Sequence, residues 1–166
     1  MKQSEVERQL AEFIGKYTPQ IAASIHASRE KLHGLFPRGF ELVYDNYNAL
    51  VFAFGPSERT SEVVLSFAAY PRWVTLFFAR GASLSDPTSL LKGSGTQIRG
   101  ITLTAPEQIA SAPVMELIAQ AVAPVQTTLS KAPMLTTLVK SISAKQRARR
   151  PTALTPAKAK KPRDGR

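Results

Sequence analysis

The chain has 166 residues, of which 43% are hydrophobic, and this is enough for one domain with a packed core. It contains no cysteine, which excludes disulfide bonds, thiolate nucleophiles, iron–sulfur ligation and cysteine-based zinc sites. The formal net charge is +10, but residues 141–166 hold nine basic residues and one acid, whereas residues 1–140 hold 13 basic and 11 acidic residues. The body of the protein is therefore close to neutral, and the basicity belongs to the C-terminal segment.

Two features bear on cellular location. The first twelve residues contain three acids and lead into no apolar core of a signal peptide. No apolar stretch approaches the ~20 residues that a membrane-spanning helix needs. We therefore expect a soluble, cytoplasmic protein with no membrane partner, and the lack of cysteine fits a reducing compartment.

The chain begins with two predicted helices. Residues 4–17 repeat apolar side chains at helical spacing, with charged residues between them. Thr18 is suited to cap a second helix and Pro19 to occupy its first turn. This second helix is predicted to end near Leu32, because Gly34 is a suitable C-terminal stop.

Five short strands follow, indicated by β-branched and aromatic residues between turn sequences, at residues 40–45, 49–54, 63–70, 73–80 and 97–103. Consecutive strands joined by short loops pair antiparallel, so a single antiparallel sheet of about five strands is expected. The third and fourth strands are apolar on both faces. Their second face therefore needs a cover, which a helix, a ligand or another copy of the chain could supply.

Helices are predicted on both sides of the last strand. Asp86-Pro87 indicates the start of a short helix, residues 105–110 a helical turn, residues 113–123 a helix and residues 133–147 a final helix. This order predicts an α+β fold with N-terminal and C-terminal helices packed on the sheet. We expect three parts, namely a domain at 1–126, a C-terminal helical extension at 127–148 and a disordered basic tail at 149–166.

Two motifs follow the predicted β-hairpin. Residues 81–87 read Gly-Ala-Ser-Leu-Ser-Asp-Pro, residues 90–95 read Leu-Leu-Lys-Gly-Ser-Gly, and Arg99 stands in the next strand. With this spacing, and with Glu41 at the first strand, the chain resembles the bacterial YdhG-like family, a domain of unknown function, over residues 13–122. The resemblance implies an α+β fold and a small non-catalytic domain. Some members of that family are described as frataxin-like iron chaperones, so iron is the one cofactor that the resemblance would suggest, whereas the residues themselves predict no cofactor.

Aromatic residues gather on the predicted strands. One interpretation is an aromatic-lined pocket or the face of a homodimer, and the other is core packing with one exposed edge. Two basic residues flank the Gly-Ser-Gly turn at 93–95 and are candidates for anion contacts, although a tight turn is the simpler role of these glycines. The candidate ligand-binding residues are Tyr44, Tyr47, Tyr70, Trp73, Lys92 and Arg99.

One pattern is compatible with a metal site. His26, Glu30 and His33 stand at i, i+4 and i+7, on one side of the second predicted helix. They could bind Fe(II) or Zn(II), or they could lie half-exposed on the flank of the helix. No Gly-x-Ser-x-Gly elbow occurs and no nucleophile stands beside the histidines, so the sequence indicates no catalytic residues.

The basic C-terminus is a second candidate contact surface. A polycation of this kind binds phosphate backbones without sequence specificity, or serves only to keep a chain in solution. The candidate nucleic-acid residues are Lys145, Arg147, Arg149, Arg150, Lys158, Lys160, Lys161 and Arg163.

The sequence thus predicts a non-catalytic module that binds a small ligand or a protein partner, a second copy of the chain included. Three alternatives stay open. One is an iron-handling or other metal-handling protein, and another is a protein that associates with nucleic acid through its tail. The third is an enzyme, which should show a cleft with converging polar groups.

Overall fold

The structure, a computed structural model, describes residues 2–151. The α-helices in this range are α1 (Gln3–Gly15), α2 (Pro19–Leu35), α3 (Ala112–Val122) and α4 (Gln126–Lys131). The strands are β1 (Phe40–Asp45), β2 (Leu50–Gly55), β3 (Leu65–Ala69), β4 (Val74–Phe78), β5 (Arg99–Leu103) and β6 (Thr136–Ile142). Short 3-10 helices lie at Thr60–Glu62, Gly81–Ser83, Pro106–Ala110 and Ala123–Val125. Within residues 2–151, every helix is too short or too polar to span a membrane.

The two N-terminal helices form where the apolar spacing predicts them, but α2 continues through Gly34 to Leu35, so the end predicted near Leu32 is corrected. α1 buries the stripe of Val6, Leu10, Phe13 and Ile14. The side chain of Thr18 accepts a hydrogen bond from the backbone N–H of Ile21 at 3.3 Å, which is the predicted cap of α2.

All six strands belong to one sheet in the order β5-β4-β3-β2-β1-β6. The first five strands pair antiparallel with their sequence neighbours, whereas β6 pairs parallel with β1. The predicted α+β class with a single sheet is confirmed. The finer expectation of an antiparallel sheet of about five strands is corrected, because the sheet has six strands and is mixed.

The sixth strand replaces the helix predicted over residues 133–147, so the expected helical extension consists only of α4 before the chain becomes extended. The large apolar residues of this segment recur at helical spacing, at 135, 138, 139 and 142, whereas its β-branched residues Thr136, Thr137 and Val139 favour a strand. The edge of β1 favours the strand over the helix, because the backbone groups of β1 would lack hydrogen-bond partners without a neighbouring strand. The pairing runs from Phe40 beside Thr136 to Asp45 beside Ile142.

The helix predicted at Asp86-Pro87 is also absent, and a turn stands in its place. The carboxylate of Asp86 accepts hydrogen bonds from the backbone N–H groups of Leu90 at 3.0 Å and Leu91 at 2.9 Å. Ser89 has φ of 52°, a left-handed conformation that ends a helical turn. Asp86 therefore organises a loop through the same acceptor chemistry that a helix cap uses.

One face of the sheet carries the main core. Side chains of α1, α2 and α3 pack there against alternate residues of the strands, including Val43, Phe52, Phe67, Leu76 and Ile101. The rings of Phe52 and Phe67 are stacked with centroids 4.7 Å apart. This layer of helices supplies one of the two covers that the doubly apolar strands need.

The opposite face of the sheet is partly covered by the strands' own side chains and by the β2–β3 loop. Leu42 on this face is fully buried. A Cβ on Gly100 would lie 3.0 Å from the ring of Phe77, so this ring rests directly on the glycine. The hydroxyl of Tyr44 is hydrogen-bonded to Thr60 of the β2–β3 loop at 2.6 Å. This face is therefore only partly covered, since Tyr44, Val51 and Phe77 are half-buried and Thr102 is exposed.

Candidate functional site

A cavity of about 260 Å³ opens where β3 begins and β4 ends. Its volume is close to the lower end of the range for small-molecule sites, about 300–1,000 Å³. Its wall is mostly apolar, as in typical ligand pockets. The apolar lining comprises Pro56, Val63, Val64, Phe78, Ala79, Leu84, Ala121, Pro124 and Val125, and the polar lining comprises Ser61, Glu62, Arg80 and Thr128.

Two contacts hold the cavity wall in place. The turn after β4 packs closely on β5, since a Cβ on Gly81 would lie 2.5 Å from the Cβ of Arg99. The side-chain amide of Gln120 on α3 accepts from the backbone N–H of Ser85 at 2.8 Å and donates to its carbonyl at 2.9 Å. These two hydrogen bonds connect the loop that carries Leu84 to α3, so this part of the cavity wall is preorganised for a ligand.

The two charged groups of the cavity have different surroundings. The carboxylate of Glu62 accepts a hydrogen bond from the hydroxyl of Ser57. Arg80 is exposed at the cavity mouth, and within residues 2–151 its guanidinium forms no ion pair. The cavity therefore offers an apolar interior and two exposed side chains of opposite charge, Arg80 and Glu62, of which Glu62 accepts a hydrogen bond from Ser57.

The aromatic residues predicted as a pocket do not converge on one site. The ring centroids of Tyr70 and Trp73 are 5.4 Å apart, and Trp73 is 45% exposed. Tyr47 is 48% exposed in the β1–β2 turn, whereas the hydroxyl of Tyr44 faces the β2–β3 loop. None of the four lines the cavity at Phe78.

The predicted anion-contact residues hold a loop together. Lys92 bridges to Gly100 through the backbone and donates from its ammonium group to the carbonyl of Ser89 at 3.1 Å. The guanidinium of Arg99 donates to the carbonyls of Gly95 at 2.7 Å and Ile98 at 2.8 Å. Both cations are thus used inside the loop that joins the turn of Asp86 to β5.

The predicted metal residues are not gathered into a site. His26 and Glu30 are exposed on α2. His33 turns to the sheet, where its Nε2 lies 3.0 Å from a carboxylate oxygen of Glu41. Across residues 2–151, no group of three or more His, Asp or Glu side chains is arranged to hold a metal ion.

Glu41 is the centre of a buried charge cluster on the helix-covered face. The carboxylate is fully buried and receives three hydrogen bonds from Arg29, at 3.1, 2.9 and 2.7 Å, and one from the hydroxyl of Thr137 at 2.7 Å. Arg29 also pairs with Glu7 at 2.9 Å. Burial raises the pKa of Glu41, but the hydrogen bonds of His33 and Arg29 outweigh burial and hold that pKa below its ordinary value.

Asp45 forms a second buried cluster, at the other end of β1. Its carboxylate accepts from Arg149 at 2.9 Å and from Lys16 at 3.0 Å. Burial raises the pKa of Asp45, whereas hydrogen bonds from Gln146, Arg149 and Lys16 lower it, and the net shift is downward. Next to this pair, burial raises the pKa of Tyr17 to about 12.

The predicted nucleic-acid residues divide into three groups. Arg149 is only 4% exposed and belongs to the folded domain, which corrects its assignment to a tail. Its guanidinium also donates to the carbonyls of Asn46 and Tyr47. The exposed members are Lys145, Arg147 and Arg150. The predicted contacts of Lys158, Lys160, Lys161 and Arg163 lie outside the described residues, as does most of the tail predicted to be disordered.

Sequence reasoning missed the cavity and the two acidic clusters. The cavity joins residues far apart in the chain, so no local pattern marks it. The burial of the two acids could have been predicted, because Glu41 and Asp45 alternate with Val43 on the inward side of an otherwise apolar strand. An acid at such a position is buried, and a buried acid requires a cationic partner.

Comparison of the chain with known protein families, with curated proteins and with solved structures finds no match. The resemblance to the YdhG-like family therefore stays a prediction that rests on the motifs at residues 81–99.

Proposed function

We propose that this chain is a non-catalytic binding module whose cavity beside Phe78 holds a small amphipathic molecule with an anionic end. The observation that carries the proposal is a mostly apolar cavity whose lining includes the exposed Arg80, which forms no ion pair within residues 2–151. An apolar body would replace water inside, and a carboxylate or similar group would remain at the mouth beside the guanidinium.

Binding is favoured over catalysis by the position of the perturbed groups. Active sites concentrate titratable groups with shifted pKa values in a cleft. In residues 2–151 the shifted groups are Tyr17, Arg29, Glu41 and Asp45, and none of them lines this cavity. Hydrogen bonds from their partners account for the lowered pKa of Glu41 and of Asp45, and burial accounts for the raised pKa of Tyr17, so these shifts need no catalytic role.

The test compares three C8 molecules with the same apolar body, namely octanoate, octanol and octylamine. We expect octanoate to bind most tightly, with chemical shift changes in nuclear magnetic resonance spectra centred on Val64, Phe78 and Ala121. Arg80→Gln should weaken octanoate by about fivefold, since a solvent-exposed charge contact is worth about 1 kcal/mol. It should leave octanol unaffected.

Two further variants complete the test. Ala121→Trp should fill the cavity and abolish binding of all three molecules, and Ala121→Leu is the milder version if the larger ring prevents folding. Arg8→Gln removes an exposed arginine on α1 and serves as the matched control. Equal binding of octanoate by wild type and both cavity-filling variants, with the fold intact by circular dichroism, would overturn the proposal.

A further inference from the structure

One end of the sheet carries exposed aromatic rings. Tyr47 in the β1–β2 turn is 48% exposed, and Trp73 in the β3–β4 turn is 45% exposed. β2 and β3 are neighbours in the sheet, so both turns project from the same end, and strand spacing places them about 10 Å apart. We call this surface the turn end, with Tyr47, Trp73, Arg72, Lys145, Arg147 and Arg150 as its members.

The turn end is also basic. Arg72, Lys145, Arg147 and Arg150 are exposed. Asp45, an acid at this end, is buried and paired with Arg149 and Lys16, so it does not offset them at the surface. Glu107 follows β5, which lies at the opposite edge of the sheet from β6, so this acid is separated from the basic residues that follow β6.

The cations and rings are held together by backbone contacts. The N–H of Ser143 donates to the carbonyl of Asp45 at 2.8 Å, and the N–H of Arg147 donates to the carbonyl of Tyr47 at 2.8 Å. The guanidinium carbon of Arg147 lies 5.5 Å from the centroid of the Tyr47 ring. The chain after β6 therefore returns to the β1–β2 turn and brings its basic residues to an exposed ring.

The sequence beyond the described residues adds charge of the same sign. Residues 152–166 hold five basic residues and one acid, Asp164. They continue from Pro151, which directly follows Arg149 and Arg150 at the turn end.

We infer that the turn end binds single-stranded nucleic acid. Its cations match a phosphate backbone, and its two exposed rings supply faces on which unpaired bases stack. A duplex would engage the cations but would leave the rings without partners, because its bases are already stacked. This surface is separate from the cavity beside Phe78, and its function does not depend on a ligand there.

The fluorescence of Trp73 provides a direct test, because it is the only tryptophan in the chain. A 15-nucleotide oligothymidylate should quench this fluorescence on binding, whereas polyphosphate, which has no rings, should bind without comparable quenching. Trp73→Ala and Tyr47→Ala, followed by fluorescence anisotropy of a labelled oligonucleotide, should each weaken binding at least about fivefold. Ile98→Ala, which removes an exposed apolar residue at another place, is the matched control and should bind as wild type.

The salt dependence separates the turn end from the tail. Lys145→Gln and Arg147→Gln should each reduce the slope of log K against log salt by about 0.7, because one phosphate contact is lost. A full-length variant with glutamine at Lys158, Lys160, Lys161 and Arg163 should bind more weakly but keep the quenching of Trp73. The inference is overturned if that tail variant loses all binding while the two aromatic variants match wild type. Binding to phosphatidylserine vesicles without binding to the oligonucleotide would also overturn it.

Discussion

Gly39, immediately before β1, shows how a single residue constrains this fold. Its φ is 109°, and a Cβ at this position would lie 2.5 Å from the carbonyl oxygen of Gly55 and 3.3 Å from Leu129. Its N–H donates to the carbonyl of Pro133 at 2.8 Å, so the same residue also guides the chain into β6. Only glycine reaches this conformation without strain and leaves room for the opposing backbone.

We predict that Gly39→Ala lowers the free energy of unfolding by about 2 kcal/mol or more, through backbone strain and the clash with Gly55. Gly95→Ala is the matched control, because a Cβ there meets no atom within 4 Å. It should change the stability by no more than about 0.5 kcal/mol. Urea denaturation of both variants measures the difference, and equal stabilities would show that the approach to Gly55 is not tight.

Among the elements, β6 and the segment that follows it depend on contacts with residues far away in the sequence. β6 pairs with β1, which lies about a hundred residues earlier in the chain. After β6 the chain is fastened by Arg149, which inserts between Asp45, Tyr47 and the ring of Tyr17. The segment from Ser143 to Arg150 is therefore part of the folded domain, and the ion pair with Asp45 is its main anchor.

We predict that Arg149→Gln destabilises the protein by about 3 kcal/mol, because removal of one partner leaves a buried carboxylate undercompensated. Lys16 still contacts Asp45, which keeps the loss near the lower end of the range for buried pairs. Amide hydrogen exchange at Ser143 and Arg147 should accelerate, since their donors bond to the β1–β2 hairpin.

Arg150→Gln is the matched control for the loss of a neighbouring charge. Arg150 is exposed and makes one hydrogen bond, to the carbonyl of Lys16. We expect a change of no more than about 0.5 kcal/mol for this variant. If the two variants were equally stable, Arg149 would not be the anchor of the segment.

For the whole molecule, the arrangement of charge makes stability depend on pH. Glu41 and Asp45 both lie on the helix-covered side of β1, and partners hold the pKa of each below its ordinary value, 4.5 and 3.8 respectively. Between the folded and the unfolded pKa values, the unfolded chain binds more protons than the folded one. Stability is therefore fully present above the unfolded pKa values and is lost as the pH falls through the folded ones.

We predict that the free energy of unfolding changes little between pH 7 and about pH 5 on account of these acids, and falls below about pH 4. Glu41→Gln should cost about 3 kcal/mol at pH 7, because Arg29 loses its buried partner, and should flatten the decline at low pH. Urea denaturation at a series of pH values measures both effects. A decline as steep in the variant as in wild type would exclude Glu41 as a source of the acid sensitivity.

Local patterns in the sequence were enough to predict α1, α2, α3 and the strands β1 to β5. In these elements the apolar spacing, the cap at Thr18 and the turns between neighbouring strands act over a few residues. The class of the fold follows from the order of these elements. The concentration of basic residues in the C-terminal segment is likewise a property of the sequence alone.

The tertiary structure decided what depends on distant partners. Residues 136–142 form a strand because β1 offers an open edge, and Arg149 is buried because Asp45 needs a cation. The cavity beside Phe78 and the grouping of Tyr47, Trp73 and Arg147 at one end of the sheet also join residues remote in sequence. Hydrophobic spacing predicts which side of a helix or strand is buried. It does not predict which residues contact each other on that side, because those contacts depend on how the whole chain packs.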